Sequence, residues 1–182
     1  RAKVAVHRER IENYLRTGRI YPVSLELDLT SRCNRDCPDC PSTRASANPW
    51  LDWDFVETLL TRRAGHTRGL LLTGGEPTLS PLFGRTLARA REKGFENISV
   101  VTNGARLGNP VVSGALLEHG STIRLSLYHS RNGKCGAGVE SLQKIRRLRN
   151  AIEETGSRLQ IGISILTDES RLGTLEERVR RG

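Results

Sequence analysis

The sequence has no methionine, few aromatic residues and no long apolar segment. Its 182 residues include three phenylalanines, three tyrosines and two tryptophans, which is too few for a surface on which nucleic acid bases could stack. No run of about 18 apolar residues exists, so the sequence predicts no membrane span. With 36% hydrophobic and 27% charged residues, the composition is typical of a globular domain with a real core.

The ends of the sequence also lack expected features. The chain begins Arg1-Ala2-Lys3-Val4 and continues into charged sequence, without the apolar core of a secretory signal. There are only four cysteines, and their clustering as ligands is typical of a reducing compartment, so we expect a cytoplasmic protein. No methionine stands at position 1 and no capping segment follows Gly182. We therefore expect an incomplete chain, with its C-terminal part missing.

The net charge of +9 invites a nucleic acid interpretation. Most of the excess positive charge is arginine scattered over predicted helices. Such arginines are typical of the solvent-exposed faces of helices. Together with the scarcity of aromatic residues, this distribution makes a nucleic acid partner the less favoured interpretation.

Strand patterns and helix patterns alternate along most of the chain. Alternating apolar and polar residues over 23–29 predict a first strand. Further strands are predicted over 69–73, 98–102, 123–127 and 159–166. Helices are predicted around 9–15, between Asp52 and Gly65, over 81–93, 110–119 and 139–154, and after Thr167 or Asp168.

This alternation predicts an α/β fold of five βα units, with a parallel sheet and right-handed crossovers. Residues 1–22 form a helical extension in this prediction, and residues 23–182 form one core domain. The spacing does not distinguish an open, doubly wound sheet from a barrel. In both architectures the chemistry lies at the C-terminal ends of the strands.

Three cysteines follow the first predicted strand within eight residues. Cys33, Cys37 and Cys40 can supply three thiolates to one soft metal centre, the ligand type used by iron–sulfur clusters. A [4Fe–4S] cluster held by three cysteines keeps one iron open to a small molecule. The alternative is a structural zinc site or a simple electron-transfer centre. The fourth ligand would then be Cys135, His66, His119 or His129.

Polar and glycine-rich motifs follow the other strands. Gly74-Gly75-Glu76-Pro77 comes after the second strand; two glycines there permit close approach of a ligand to the backbone, although an ordinary strand-to-helix turn has the same composition. Thr102-Asn103-Gly104 follows the third strand, and Ser126 and Tyr128-His129 end the fourth. The topology therefore predicts that these residues share one edge of the sheet with the cysteines.

With these motifs in place, residues 23–166 resemble the radical S-adenosylmethionine (radical SAM) enzymes. The resemblance implies a partial, six-stranded parallel (β/α) barrel, of which about five βα units are visible here. It also implies two cofactors, a [4Fe–4S] cluster and S-adenosylmethionine. In this family the open iron binds the amino and carboxylate groups of S-adenosylmethionine, whose reductive cleavage gives a radical that abstracts a substrate hydrogen atom.

The resemblance also assigns roles by position. Cys33, Cys37 and Cys40 become the cluster ligands, and Gly74, Gly75 and Glu76 a clamp on the methionine amino group. Thr102, Asn103 and Ser126 become contacts to the ribose or the carboxylate, and Gly162 lies on the strand that passes the adenine. Tyr128 and His129 become candidate substrate contacts, and Cys135 a candidate hydrogen-atom donor. The family pattern is broken at Asp39, where an aromatic residue is usual, and at Tyr128-His129, where many relatives have Asp-Gly.

The expected substrate is a peptide or a small molecule such as a sugar, nucleoside or lipid, in preference to tRNA. The expected electron donor resembles flavodoxin or ferredoxin. Glu26 and Asp28 lie on the first strand, where they are predicted to pair with arginines inside the barrel or to face the substrate. The alternative function is a zinc-binding or electron-transfer module without S-adenosylmethionine chemistry.

Overall fold

A computed structural model describes residues 7–37, 40, 50–126 and 139–164 of the chain. Five strands form one sheet, and the helices connect them. The strands are β1 (Ser24–Asp28), β2 (Gly69–Thr73), β3 (Asn97–Thr102), β4 (Thr122–Ser126) and β5 (Gln160–Ser164). The helices are α1 (Arg8–Thr17), α2 (Trp53–Arg63), α3 (Phe83–Glu92), α4 (Pro110–His119) and α5 (Val139–Thr155), with a 3-10 turn at Pro77–Leu79.

All five strands run parallel, in the order β1-β2-β3-β4-β5. Each strand pairs with its successor in the chain, without the reversal of strand order that defines a doubly wound sheet. This order distinguishes between the two architectures that the sequence left open. The chain forms a partial parallel (β/α) barrel, as the resemblance to the radical SAM enzymes implied.

Local sequence signals explain where two of the helices begin. The Asp52 side chain accepts hydrogen bonds from the backbone N–H groups of Asp54 and Phe55, at 2.8 and 3.3 Å, and so caps α2 as predicted. Asn109 caps α4 in the same way, accepting from the N–H of Val111 at 2.9 Å. Pro110 stands at the first position of α4, where the missing N–H has no cost.

The prediction of a helix over 81–93 placed its start too early. The segment first makes the 3-10 turn at Pro77–Leu79, and α3 begins only at Phe83. The Ser80 hydroxyl accepts a hydrogen bond from the N–H of Leu82 at 3.2 Å and ends the turn. The predicted end of the fifth strand and the helix after it lie outside the described residues, as does residue 127 of the fourth.

The two faces of the sheet differ in polarity. One face packs against the helices and carries the core, where Leu72, Val100 and Ile123 are fully buried. On β4 the exposed Arg124 alternates with these buried positions, so it lies on the opposite, concave face. The alternation thus separates an apolar outer layer from a polar inner surface.

The N-terminal helix α1 is fixed to the N-terminal end of the sheet by one arginine. Arg10 Nη1 donates hydrogen bonds to the carbonyl oxygens of Tyr21 and Pro22, at 3.1 and 3.2 Å. Its Nη2 donates to the carbonyl oxygen of His66 at 3.0 Å. The helix therefore lies at the end of the strands opposite the cysteines. No helix among the described residues is long and apolar enough to cross a membrane.

An ion pair joins α2 to α3. The Glu57 carboxylate accepts hydrogen bonds from Arg89 Nε at 2.8 Å and from Arg89 Nη2 at 2.6 Å. The hydrogen bonds from Arg89 are the largest cause that lowers the pKa of Glu57 from 4.5 to about 2. Because the folded pKa is the lower one, this carboxylate stabilises the fold above about pH 4.5.

We predict a defined pH window for Glu57→Gln. The variant is expected to have a lower urea midpoint than the wild type above pH 4.5, and the difference should shrink as the pH falls towards about 2. Arg89→Gln removes the hydrogen-bond donor and should show the same window. Urea unfolding of the three proteins across this pH range tests the prediction, and a difference that is independent of pH would contradict it.

Candidate cofactor site

A cavity of about 280 Å³ lies at the C-terminal ends of the strands. It brings together the predicted site residues of the described chain, with the exceptions of Glu76 and Gly162. Its lining is Glu26, Asp28, Cys33, Arg35, Cys37, Cys40, Thr73, Gly74, Gly75, Val101, Thr102, Asn103 and Ser126. The topology therefore places the cysteine loop, the glycine turn and two polar strand ends around one space, as the sequence predicted.

The cysteine loop carries free thiols at Cys33 and Cys40, whereas Cys37 is disulfide-bonded. Cys33 Sγ accepts hydrogen bonds from the backbone N–H of Arg35 at 3.4 Å and from Asn103 Nδ2 at 3.7 Å. Hydrogen bonds of this kind stabilise negative charge on a sulfur and tune the potential of iron–sulfur clusters. Cys37 must be reduced before it can serve as a metal ligand.

The donor set suits an iron–sulfur cluster, whose usual protein ligands are cysteine thiolates. Within the described part of the chain, no three potential ligand side chains are close enough together to hold a single metal ion. Cys33, Cys37 and Cys40 line one cavity, where a four-iron cluster would bind one of these cysteines on each of three irons.

The two described candidates for a fourth zinc ligand are elsewhere. His66 stacks on Tyr21, with ring centroids 4.1 Å apart, at the N-terminal end of the sheet. His119 lies at the end of α4, with its Nε2 3.7 Å from Glu118 Oε1. His129 and Cys135 are outside the described residues, as are Tyr128 and Asp39. Neither described histidine can therefore complete a zinc site with the cysteines.

The glycine turn supports the cysteine loop directly. The N–H of Gly75 donates to the carbonyl oxygen of Thr30, and the N–H of Glu76 to that of Arg32, both at 2.8 Å. A Cβ on Gly74 would lie 2.3 Å from the Thr30 oxygen, and one on Gly75 would lie 2.2 Å from the Arg32 oxygen. Gly74 also has a φ of +112°, which favours glycine. The close approach that requires glycine is thus made by the protein's own backbone.

We predict that Gly75→Ala displaces the cysteine loop. The new methyl group would collide with a backbone carbonyl that has no flexible side chain to move aside, so the variant should incorporate much less iron than the wild type after anaerobic reconstitution. Gly114→Ala is the matched control, because a Cβ there meets nothing within 4 Å and alanine should stabilise α4 by about 1 kcal/mol. Full iron incorporation by Gly75→Ala would contradict the prediction.

Glu76 is fully buried and does not line the cavity. Its Oε1 accepts hydrogen bonds from the Thr78 hydroxyl, from the Thr78 N–H at 3.2 Å and from Thr102 Oγ1 at 2.7 Å. Its Oε2 accepts from the N–H of Asn103 at 2.7 Å. The carboxylate therefore holds the end of β3 against the turn after β2. Its contact with the methionine amino group stays a prediction.

The other predicted polar residues divide into two kinds. Thr102 is buried, and its hydroxyl is used by Glu76 and by the N–H of Gly104, at 2.7 and 3.1 Å. The Asn103 side chain bonds Asn34 Oδ1 at 2.8 Å as well as the Cys33 sulfur, so it connects β3 to the cysteine loop. Ser126 differs, because its half-buried hydroxyl lines the cavity and bonds no described residue.

Gly162 lies on the concave face of β5, opposite Arg124 of β4. A Cβ at this position would meet only the Ile123 carbonyl oxygen, at 3.8 Å. The glycine therefore leaves open space beside β4 and is not part of the cavity lining. Its proposed contact with adenine stays a prediction.

The sequence did not predict the role of Thr73 at the end of β2. Its hydroxyl lies 3.2 Å from Glu26 Oε1 and 2.5 Å from Asp28 Oδ1. One hydroxyl group is therefore within hydrogen-bond distance of two carboxylates. The predicted pairing of these carboxylates with arginines is not found among the described residues. Asp28 pairs with Thr73, and Glu26 lies two residues before Asp28, so all three side chains lie on the same face of the sheet. This pattern could have indicated the contact.

The fold and the cavity define a partial parallel barrel with a three-cysteine loop at the C-terminal ends of its strands. A family model described as the Radical SAM superfamily matches residues 27–181. The chain belongs to the radical SAM superfamily.

Three curated relatives, all named as enzymes, show the range of the family. The chain is 33% identical over 137 residues to the PqqA peptide cyclase of Methylorubrum extorquens, covering 71% of this chain and 33% of that protein. It is 30% identical over 105 residues to the 7,8-dihydro-6-hydroxymethylpterin dimethyltransferase of Methanocaldococcus jannaschii, covering 54% and 21%. The 7-carboxy-7-deazaguanine synthase of Haemophilus influenzae is 28% identical over 105 residues, covering 57% and 46%. The match thus spans between about a fifth and a half of each relative.

Two solved structures share the fold. SuiB of Streptococcus suis bound to S-adenosylmethionine superposes with a TM-score of 0.66 at 19% identity, covering 93% of this chain and 41% of SuiB. BtrN in complex with AdoMet and 2-DOIA gives a TM-score of 0.61, also at 19% identity, covering 79% and 57%.

Proposed function

We propose that this chain forms the cofactor-binding core of a radical SAM enzyme that abstracts a hydrogen atom from its substrate. The observation that carries the proposal is the cavity of about 280 Å³ at the C-terminal ends of the strands. There the three cysteines meet the glycine turn and the polar ends of β3 and β4. Membership of the family supplies the chemistry that this arrangement would perform.

Cys33, Cys37 and Cys40 would hold a [4Fe–4S] cluster, and Gly74, Gly75, Asn103 and Ser126 would surround S-adenosylmethionine. When bound, the two cofactors supply reductive cleavage of a carbon–sulfur bond and a carbon radical able to take a hydrogen atom. The chain's own residues would position them: Asn103 holds one cysteine sulfur, and Ser126 offers a hydroxyl to a polar group of the ligand. The concave face below would exclude water and enclose the substrate.

Glu76 has a positioning role in this proposal. Its carboxylate binds both Thr102 and the N–H of Asn103, while its own N–H binds the cysteine loop at Arg32. One residue thus connects the metal loop to the strand end that carries Asn103. In this proposal the backbone of the glycine turn, and not the Glu76 carboxylate, contacts the methionine amino group.

The substrate would be a peptide or a small molecule, and the curated relatives named above include a peptide cyclase and a deazaguanine synthase. The electron donor would be a flavodoxin- or ferredoxin-like protein, and the net charge of +9 suits an acidic partner of this kind. A reducing cytoplasm would protect both the cluster and the Cys37 thiol.

Anaerobic reconstitution with iron and sulfide tests the proposal. After reduction with dithionite, addition of S-adenosylmethionine should shift the electron paramagnetic resonance spectrum of the cluster and yield 5′-deoxyadenosine. A folded protein that binds zinc stoichiometrically, takes up no iron–sulfur cluster and makes no 5′-deoxyadenosine would favour the zinc module instead.

A further inference from the structure

Arg124 is an exposed arginine on the concave face of the sheet. It lies between Val101 of β3 and Gly162 of β5 in the strand register. Its strand neighbours Ile123 and Leu125 are buried on the other face, whereas Arg124 itself is exposed. Its guanidinium group forms no ion pair or hydrogen bond with any described residue, and Gly162 leaves space beside it.

A second cavity, of about 900 Å³, begins at this level and extends towards the N-terminal ends of the strands. Arg124 and Val101 line it, and Val101 also lines the cofactor cavity. The two cavities therefore meet on one concave face. Ser126 is two residues beyond Arg124 on the same face of β4, which corresponds to about 7 Å along the strand.

This distance places Arg124 where a substrate would lie, if the proposed function holds. A group that loses a hydrogen atom must touch the reactive carbon of the cofactor, and the cofactor is proposed to bind at the level of Ser126. The next layer of side chains along the strands contains Arg124. A substrate filling this layer would remove water from the guanidinium group, which is unfavourable unless the substrate supplies a negative charge.

The same row of register partners carries the opposite charge at its other end, where Asp28 lines the cofactor cavity. In the strand register Asp28 pairs with Thr73. Because Leu72 pairs with Val100, Thr73 stands beside Val101, and Val101 in turn pairs with Arg124. β1 and β4 are three strand spacings apart, or about 14 Å. This separation is between the backbones of the two strands. Arg124 and Asp28 form no ion pair in the described part of the chain, and a ligand between them can meet both charges.

We propose that Arg124 binds an anionic group of the substrate, a carboxylate or a phosphate. The other end of the same substrate then carries an amine or hydroxyl group that donates to Asp28 and Glu26. A guanidinium group suits both anions, because its N–H groups form paired, charge-assisted hydrogen bonds with either one.

Binding of small probes to the full chain tests this proposal without turnover. The carboxylate probe is triglycine with free termini, and its neutral partner is the same peptide with a C-terminal amide. The phosphate probe is phosphoethanolamine. Isothermal titration compares the wild type with Arg124→Gln, Arg124→Lys and Arg146→Gln, where Arg146 is an exposed arginine on α5 that controls for lost charge.

At least one anionic probe should bind the wild type, and Arg124→Gln should weaken that binding by about tenfold or more. Arg124→Lys should keep part of the affinity, and Arg146→Gln should keep all of it. If triglycine is the better probe, amidation should weaken its binding to the wild type and have little further effect in Arg124→Gln. The better of the two anions would identify the group.

The proposal would be overturned if neither anionic probe bound the wild type up to about 10 mM. It would also be overturned if Arg124→Gln bound them as tightly as the wild type did. Iron content and S-adenosylmethionine binding are measured on the same samples. A protein that binds an anion through Arg124 but takes up no cluster would contradict the proposed function and leave the anion site standing.

Discussion

Replacement of Cys37 by alanine is expected to abolish iron–sulfur cluster assembly and 5′-deoxyadenosine formation together. Cys37 is the middle ligand of the loop, and the described residues offer no further cysteine to replace it. Without this thiolate, a second iron would lose its protein ligand and the cluster would not be retained. Iron and sulfide analysis, the spectrum of the reduced protein and assay of 5′-deoxyadenosine measure the effect.

Cys135→Ala is the control for this prediction, because Cys135 is the one cysteine outside the Cys-x-x-x-Cys-x-x-Cys motif. It should keep the cluster when reconstituted under reducing conditions, which also reduce the disulfide at Cys37. A closed four-ligand site that uses Cys135 would behave differently, since both substitutions would then remove the metal. Full activity of Cys37→Ala would refute the ligand assignment.

The sequence predicted the sheet well because its signals are local. A period-two pattern identifies a strand within a few residues, and the side chain of Asp52 caps α2 through contacts only two and three residues away. The common direction of the strands then follows from the alternation of strands and helices. These steps were sufficient to place the cysteines, the glycine turn and Ser126 at the same edge.

The contacts within the site could not be predicted in this way, because they join residues that are distant in sequence. Glu76 and Asn103 are 27 residues apart and Asn103 and Cys33 are 70 apart, yet each pair shares a hydrogen bond. The glycine turn shows the same difficulty. Its composition indicated a close approach, but only the folded chain shows that the cysteine loop, through Thr30 and Arg32, makes it.

Conversion of Glu76 to glutamine is expected to destabilise the fold and to weaken S-adenosylmethionine binding. The carboxylate is fully buried and receives hydrogen bonds on both oxygens. In glutamine one oxygen becomes an NH₂ group, so either the N–H of Asn103 or the donors from Thr78 and Thr102 would face another donor. An unpaired buried donor costs about 1–3 kcal/mol, and loss of a charged acceptor adds to this cost.

Urea unfolding of the apoprotein measures the stability effect, which we expect to be about 3 kcal/mol. Glu118→Gln is the matched control, since Glu118 has a side-chain exposure of 75% and the same substitution there should change stability by less than about 0.5 kcal/mol. S-adenosylmethionine binding is then measured under conditions where both variants remain folded. If Glu76 only positions Asn103 and the cysteine loop, Asn103→Ala should weaken binding without destabilising the fold to the same extent. A stable Glu76→Gln protein that selectively loses S-adenosylmethionine binding would instead restore the direct clamp.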